Sequence, residues 1–231
     1  MRAAAAALAL ATTLVQTPIF AARPFVTDDA RIVDPGGCQI ESFARDQRKT
    51  AEREFWFLPG CTPGRNVEYT LGGFKLDNAG SGTSSTVIAQ AKTLLRPLAT
   101  NGYGVALTLG LIRQNQPENS SGAMRNPFLN VIGSLSLHDG AVVLHGNLGA
   151  LQDRIADRTR HTWGIGSEIR LGSRLFAIAE AYQQEGELPS RQIGLRYWIL
   201  PNRFQVDGTL GSQNASPASR AWTSLGVRIL F

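Results

Sequence analysis

The last seven residues, Leu225-Gly226-Val227-Arg228-Ile229-Leu230-Phe231, alternate apolar with polar or small side chains and stop on an aromatic residue. That is the pattern of the closing strand of an outer-membrane β-barrel, with one face toward lipid and the other toward a lumen. Comparable short segments recur along the chain: 38–45, 53–61, 65–76, 84–96, 103–113, 127–138, 141–152, 161–171, 174–183, 191–200, 203–212 and 221–231. They predict an all-β fold, a transmembrane up-and-down antiparallel β-barrel of about twelve strands, an even number as such barrels require. Tight connections at Thr62-Pro63, Asn101-Gly102, Asp139-Gly140, Gly172-Ser173 and Pro201-Asn202 would be periplasmic turns. Longer polar stretches, such as 76–84 and 115–126, would face outside. A soluble β-sandwich also uses alternating strands, but it does not explain the alternation of short and long connections.

Register follows from the turns. Asp139-Gly140 sets His138 opposite Ala141. Leu129, Val131, Leu135, Leu144 and Leu148 then fall on the lipid face, with Asn130, Ser134, Ser136, His145 and Asn147 on the other. The Pro201-Asn202 turn sends Leu195, Tyr197 and Val206 outward and sets Arg196 opposite Asp207 inside. A two-residue turn at Gly172-Ser173 would push Glu168 or Glu180 toward lipid, so a three-residue turn or a bulge is expected there.

Parity assigns Glu41, Glu54, Glu68, Lys92, Arg96, Glu168, Arg170, Glu180, Arg196, Asp207 and Arg228 to the lumen. Two readings of this mixed-sign set carry equal weight: a selectivity track for a polar or amphipathic solute, and interstrand ion pairs that rigidify a narrow barrel. Trp56 and Trp198 count as inward, where they would contact a solute or pack. Trp163, Trp222, Phe204 and Phe231 would form aromatic girdles.

The amino-terminal end agrees with this address. Met1-Arg2, the apolar run 3–15 and small residues at Ala21 and Ala22 read as a secretory signal peptide over 1–22, cut near Ala21 or Ala22. No later stretch approaches the roughly 20 apolar residues of a spanning helix. The expected organisation is signal peptide 1–22, periplasmic segment 23–37 and barrel 38–231. Losing Arg2 lowers the formal charge of +5 by one, and the remaining basic residues are scattered, which argues against nucleic-acid binding. Cys38 and Cys61 lie nearly symmetrically about the first loop, and the same register sets Arg45 opposite Glu54. In an oxidising periplasm they predict a disulfide stapling the first hairpin.

Catalysis would need a nucleophile, a base and an orienting group. His145 facing Ser134 is the best pair for an outer-membrane acyl hydrolase, although no adjacent carboxylate or amide is evident from the hairpin. His138 and His161 sit at strand ends. No metal-ligand spacing or phosphate-binding loop is present, so the expectation is a non-enzyme with no cofactor.

The segment Arg23-Pro24-Phe25-Val26-Thr27-Asp28-Asp29-Ala30, then Asp34-Pro35-Gly36-Gly37, resembles the opening of the outer-membrane transporter family named for the MetA pathway of phenol degradation. Gly194-Leu195-Arg196-Tyr197 and Val206-Asp207-Gly208-Thr209-Leu210-Gly211 resemble that family's penultimate hairpin. The resemblance implies passage of small hydrophobic or aromatic compounds. Asp28 and Asp29 would cap a short turn or tuck into the periplasmic mouth. The expected function is an outer-membrane channel or facilitator for a small solute. A non-conducting structural or adhesive barrel and an acyl hydrolase are the alternatives. Expected partners are outer-membrane lipid, the solute, and the barrel-assembly machinery through the strand ending at Phe231. Whether the amino-terminal segment enters the lumen is left open.

Overall fold

A computed structural model describes residues 26–47, 52–78, 82–115, 124–154, 157–213 and 221–231. The signal peptide expected over 1–22 lies outside these residues. Twelve strands form the body. They are β1 (Cys38–Gln47), β2 (Glu52–Cys61), β3 (Val67–Asn78), β4 (Gly82–Arg96), β5 (Tyr103–Asn115), β6 (Met124–Leu137), β7 (Val142–Asp153), β8 (Arg158–Arg170), β9 (Leu175–Gln184), β10 (Ser190–Leu200), β11 (Phe204–Gln213) and β12 (Ala221–Leu230). Each pairs antiparallel with its sequence neighbours, and β1 pairs with β12 to close the barrel. Closure brings Glu41 opposite Arg228, with their charged ends 3.4 Å apart across the seam.

Alternation along each strand separates two surfaces of opposite character. Leu71, Leu109, Leu148, Ile165, Ile193, Leu195, Leu210 and Leu225 are exposed on the outside. A continuous apolar exterior of this kind belongs in lipid. The interior is the reverse: among the described residues 26 buried side chains are polar or charged and nine are apolar. The molecule is therefore organised inside-out, as an outer-membrane barrel.

The turn-derived registers agree with the structure. Ser134 faces His145, and the β6–β7 turn is closed by Ala141 N donating to His138 O at 3.0 Å. Arg196 faces Asp207. At the β8–β9 turn Leu171 N donates to Leu175 O, enclosing three residues. Glu168 consequently pairs with Ile178, and both Glu168 and Glu180 stay inside. Cys38 and Cys61 are cross-strand partners joined in a disulfide on the outer face.

Three expectations are corrected. Arg96 is not a lumen residue: a bulge between Leu94 and Arg96 turns it out, where its guanidinium lies 4.0 Å over the exposed Tyr103 ring. Arg170 keeps inward parity but ends at the exposed rim, donating to Asp139 O at 3.0 Å. Trp222 does not join a girdle. It shares parity with Arg228, is buried inside, and donates to Gln192 Oε1 at 3.3 Å. The loops are also shorter than expected in places, because strand pairing continues past the apolar belt. Asn78 still pairs with Gly82, so only residues 79–81 connect β3 to β4.

Residues 26–33 run inside the barrel rather than beneath it. The chain enters from the end that carries Cys38 and Phe231, through the turn Asp34-Pro35-Gly36-Gly37. Gly37 N donates to Asp34 O at 2.9 Å, and Gly36 adopts φ +83°, a left-handed conformation suited to glycine. Gly36 N donates to Thr62 O and Cys38 N to Phe231 O, both at 2.7 Å, fixing the base of the segment to the barrel mouth.

Candidate functional site

Because the inserted segment forms no strand, its main-chain donors must find other partners, and the inner wall supplies them. Val26 N and Thr27 N each donate to Glu180 at 2.8 Å. Asn147 accepts from Asp28 N through Oδ1 and donates to Asp28 O through Nδ2 at 3.0 Å. Ala30 N donates to Ser134 Oγ, and Val33 N to Glu68 Oε2, both at 2.9 Å. The acceptors come from β9, β7, β6 and β3, so the wall grips the segment from several sides.

Ion pairs add to this grip. Lys92 Nζ lies 2.6 Å from Asp28 Oδ1 and 3.4 Å from Asp29 Oδ1. Arg31 points the other way, with Nη1 3.6 Å from Glu168 Oε1. Asp29 also accepts from Arg31 N at 3.0 Å, so the two aspartates cap a turn and bind the wall at once.

A second network lies beneath. Ser134 Oγ is 2.9 Å from His145 Nδ1, and His145 Nε2 is 3.1 Å from Glu168 Oε1. In the tautomer whose Nε2–H donates to the Glu168 carboxylate, Nδ1 is left to accept from the serine hydroxyl. Glu168 Oε2 receives Arg196 Nη1 at 3.1 Å, both side chains being almost fully enclosed. The carboxylate missing from the hairpin reading thus arrives from the next strand. The resulting Ser-His-Glu chain resembles a hydrolytic triad in connectivity, but the Ala30 amide covers Ser134 Oγ. Near the seam, Arg228 Nε donates to Gln39 Oε1 at 2.7 Å, and Gln39 Nε2 to Glu68 Oε1 at 3.1 Å.

Of the candidates, Glu41, Glu68, Lys92, Glu168, Glu180, Arg196, Asp207 and Arg228 face the lumen, and Arg96 and Arg170 do not. Glu68, Lys92, Glu168 and Glu180 touch the inserted segment. The sequence reading missed Asn147 and Ser134 as anchors for that segment, although their inward parity was legible.

Beside the segment remains a cavity of about 340 Å³, lined by Lys92, Arg228, Phe43, Trp56, Ile88 and Phe128 among others. A further cavity of about 410 Å³ lies toward the loop end and shares Trp56 and Ile88. Between them stands a ladder of aromatic side chains. Phe43 and Trp56 stack with centroids 5.1 Å apart, and Trp56 and Phe74 with centroids 4.2 Å apart. Glu54, bonded to Arg45, accepts Trp56 Nε1 at 2.9 Å and fixes the indole.

Residues 9–231 match the family described as "Uncharacterised conserved protein UCP029691". The chain belongs to that family. No curated protein matches it. Among solved structures it is similar to the KdgM porin, with TM-score 0.60 and 12% identity over 84% of this chain and 99% of that one. It is also similar to the NanC porin (TM-score 0.57, 9% identity, covering 83% and 98%). A third is the outer membrane protein Omp33 of Acinetobacter baumannii (TM-score 0.54, 9% identity, covering 85% and 98%). At such identities the likeness is one of fold: a porin-like barrel of the bacterial outer membrane.

Proposed function

We propose that the barrel is an outer-membrane channel or facilitator for a small solute with an aromatic or apolar body and a polar group. The observation that carries this is the lumenal cavity, which Phe43 and Trp56 of the aromatic ladder line together with Lys92 and Arg228. Aromatic faces bind a planar or apolar body, and ionised or amide groups orient its polar end. The resemblance to the phenol-pathway transporters points to the same solute class. Residues 1–22 act as a signal peptide in this reading, and the strand ending at Phe231 addresses the chain to the barrel-assembly machinery.

Proteoliposomes containing the folded barrel, assayed for entry of small aromatic acids and of sugars of similar size, test it. The aromatic acids should enter faster, and Trp56→Leu should remove most of that preference while the barrel remains folded. Equal rates for both solutes, or a preference indifferent to Trp56, would sink the solute assignment.

A second reading, acyl hydrolysis, has the Ser134-His145-Glu168 chain in its favour. It predicts ester hydrolysis abolished by Ser134→Ala. No hydrolysis by the inserted wild-type protein would remove it.

A further inference from the structure

The way residues 26–33 are held differs from the way a permanent core is built. Their attachments are hydrogen bonds and ion pairs to side chains on several strands, and their apolar packing is slight: Ala30 against Ala106 and Ile132, with Leu94 beside it. Water filling the lumen can replace such polar contacts one for one, whereas lost apolar packing has no substitute there. The wall reads the main chain more than the side chains. Glu180, Asn147, Ser134 and Glu68 each meet a backbone amide, and Lys92 meets the adjacent carboxylates of Asp28 and Asp29. Gly164 completes the seat, because a Cβ there would stand 2.6 Å from Thr27 Oγ1 and 3.3 Å from Thr27 Cβ. At its carboxyl-terminal end the segment joins the barrel through the glycine-containing turn at the mouth.

We propose that residues 26–33 are a displaceable plug seated in a peptide-binding site built into the barrel wall, and that passage through the lumen requires the plug to leave this site. The ligand class of the site is a short peptide carrying two adjacent carboxylates, supplied here by the chain itself. Gating in this sense rests on the lumen being the path of passage, as proposed above. Occupancy and exchange of the site do not.

The near contact at Gly164 offers a reversible lock. Thr27→Cys combined with Gly164→Cys places two β-carbons close to the spacing a disulfide needs, about 3.5–4.5 Å. In planar bilayers the oxidised double variant should be silent and its reduced form should show discrete current steps, at least tenfold more current overall. Wild-type protein under the same reagents controls for reduction of Cys38–Cys61. Equal current from the locked and reduced forms would overturn the gating role.

Plug movement is read separately by labelling Thr27→Cys alone with a membrane-impermeant maleimide, since the described cysteines are otherwise disulfide-bonded. Modification within minutes, accelerated by an excess of synthetic peptide spanning residues 26–33 and not by a scrambled one, supports an exchangeable peptide site. Protection over hours, or labelling indifferent to the peptide, overturns it. Labelling without current in any variant would instead count against the channel.

Discussion

Arg196 and Glu168 form an ion pair in which both side chains are enclosed, 3.1 Å apart. Removing one member leaves the other charge without its nearest counter-ion in a site with little access to water. Arg196→Met should therefore destabilise the barrel by about 3–5 kcal/mol, read as a lower urea midpoint for unfolding in lipid vesicles. Arg170→Gln, at the exposed rim, should change the midpoint by no more than about 0.5 kcal/mol. Parity along β8 and β10 made each residue legible as inward. Their partnership was not, since it spans β8 to β10, past the β9 strand between them, and depends on how the closed wall curves. Lys92 acts on a different equilibrium. Lys92→Met strips the cation from Asp28 and Asp29, which should loosen the plug, raise current and speed labelling of Thr27→Cys.

Hairpins are the element whose geometry the chain specifies most tightly. A two-residue turn at Asp139-Gly140 fixes every pair of β6 and β7, and the need to keep Glu168 and Glu180 out of lipid fixes the longer turn before β9. Arg96 shows the limit of counting. One bulge beside Leu94 reverses its face, and the cause is local strand geometry that alternation does not encode. Strand length was likewise underestimated, because main-chain pairing between β3 and β4 continues among polar residues once the hairpin is registered. The first hairpin carries a covalent staple between residues 23 positions apart. Cys38→Ser with Cys61→Ser should lower stability by about 3 kcal/mol in the chain-entropy account. A matching fall in the urea midpoint, with spectra of the folded state unchanged, checks it.

For the whole molecule the decisive partition is between an apolar exterior and a polar interior. Leu148 is among the most exposed of the outward residues and sits mid-strand on β7. Leu148→Arg should cost about 2–4 kcal/mol and slow insertion into vesicles, because the charge would enter the hydrocarbon. Gln90→Arg, on the inner face beside the cavity, should leave insertion unchanged. Folding yield measured by heat-modifiable electrophoretic mobility distinguishes the two. Closure of twelve strands leaves space that the wall side chains do not fill, and the chain's own residues 26–33 lie in it, bonded to Glu180 and Glu68 of the wall.

By itself the sequence determined strand number, hairpin register away from the bulges, the two faces apart from positions such as Arg96 and Trp222, the disulfide and the outer-membrane address, because each depends on period-two alternation and on turns a few residues long. The tertiary structure alone decided where residues 26–33 lie, which carboxylate reaches His145, and that Phe43, Trp56 and Phe74 stack into one ladder. These are contacts among strands and a strandless segment across a closed lumen. Their distances follow from the closure and curvature of the whole barrel, a property no window of sequence contains.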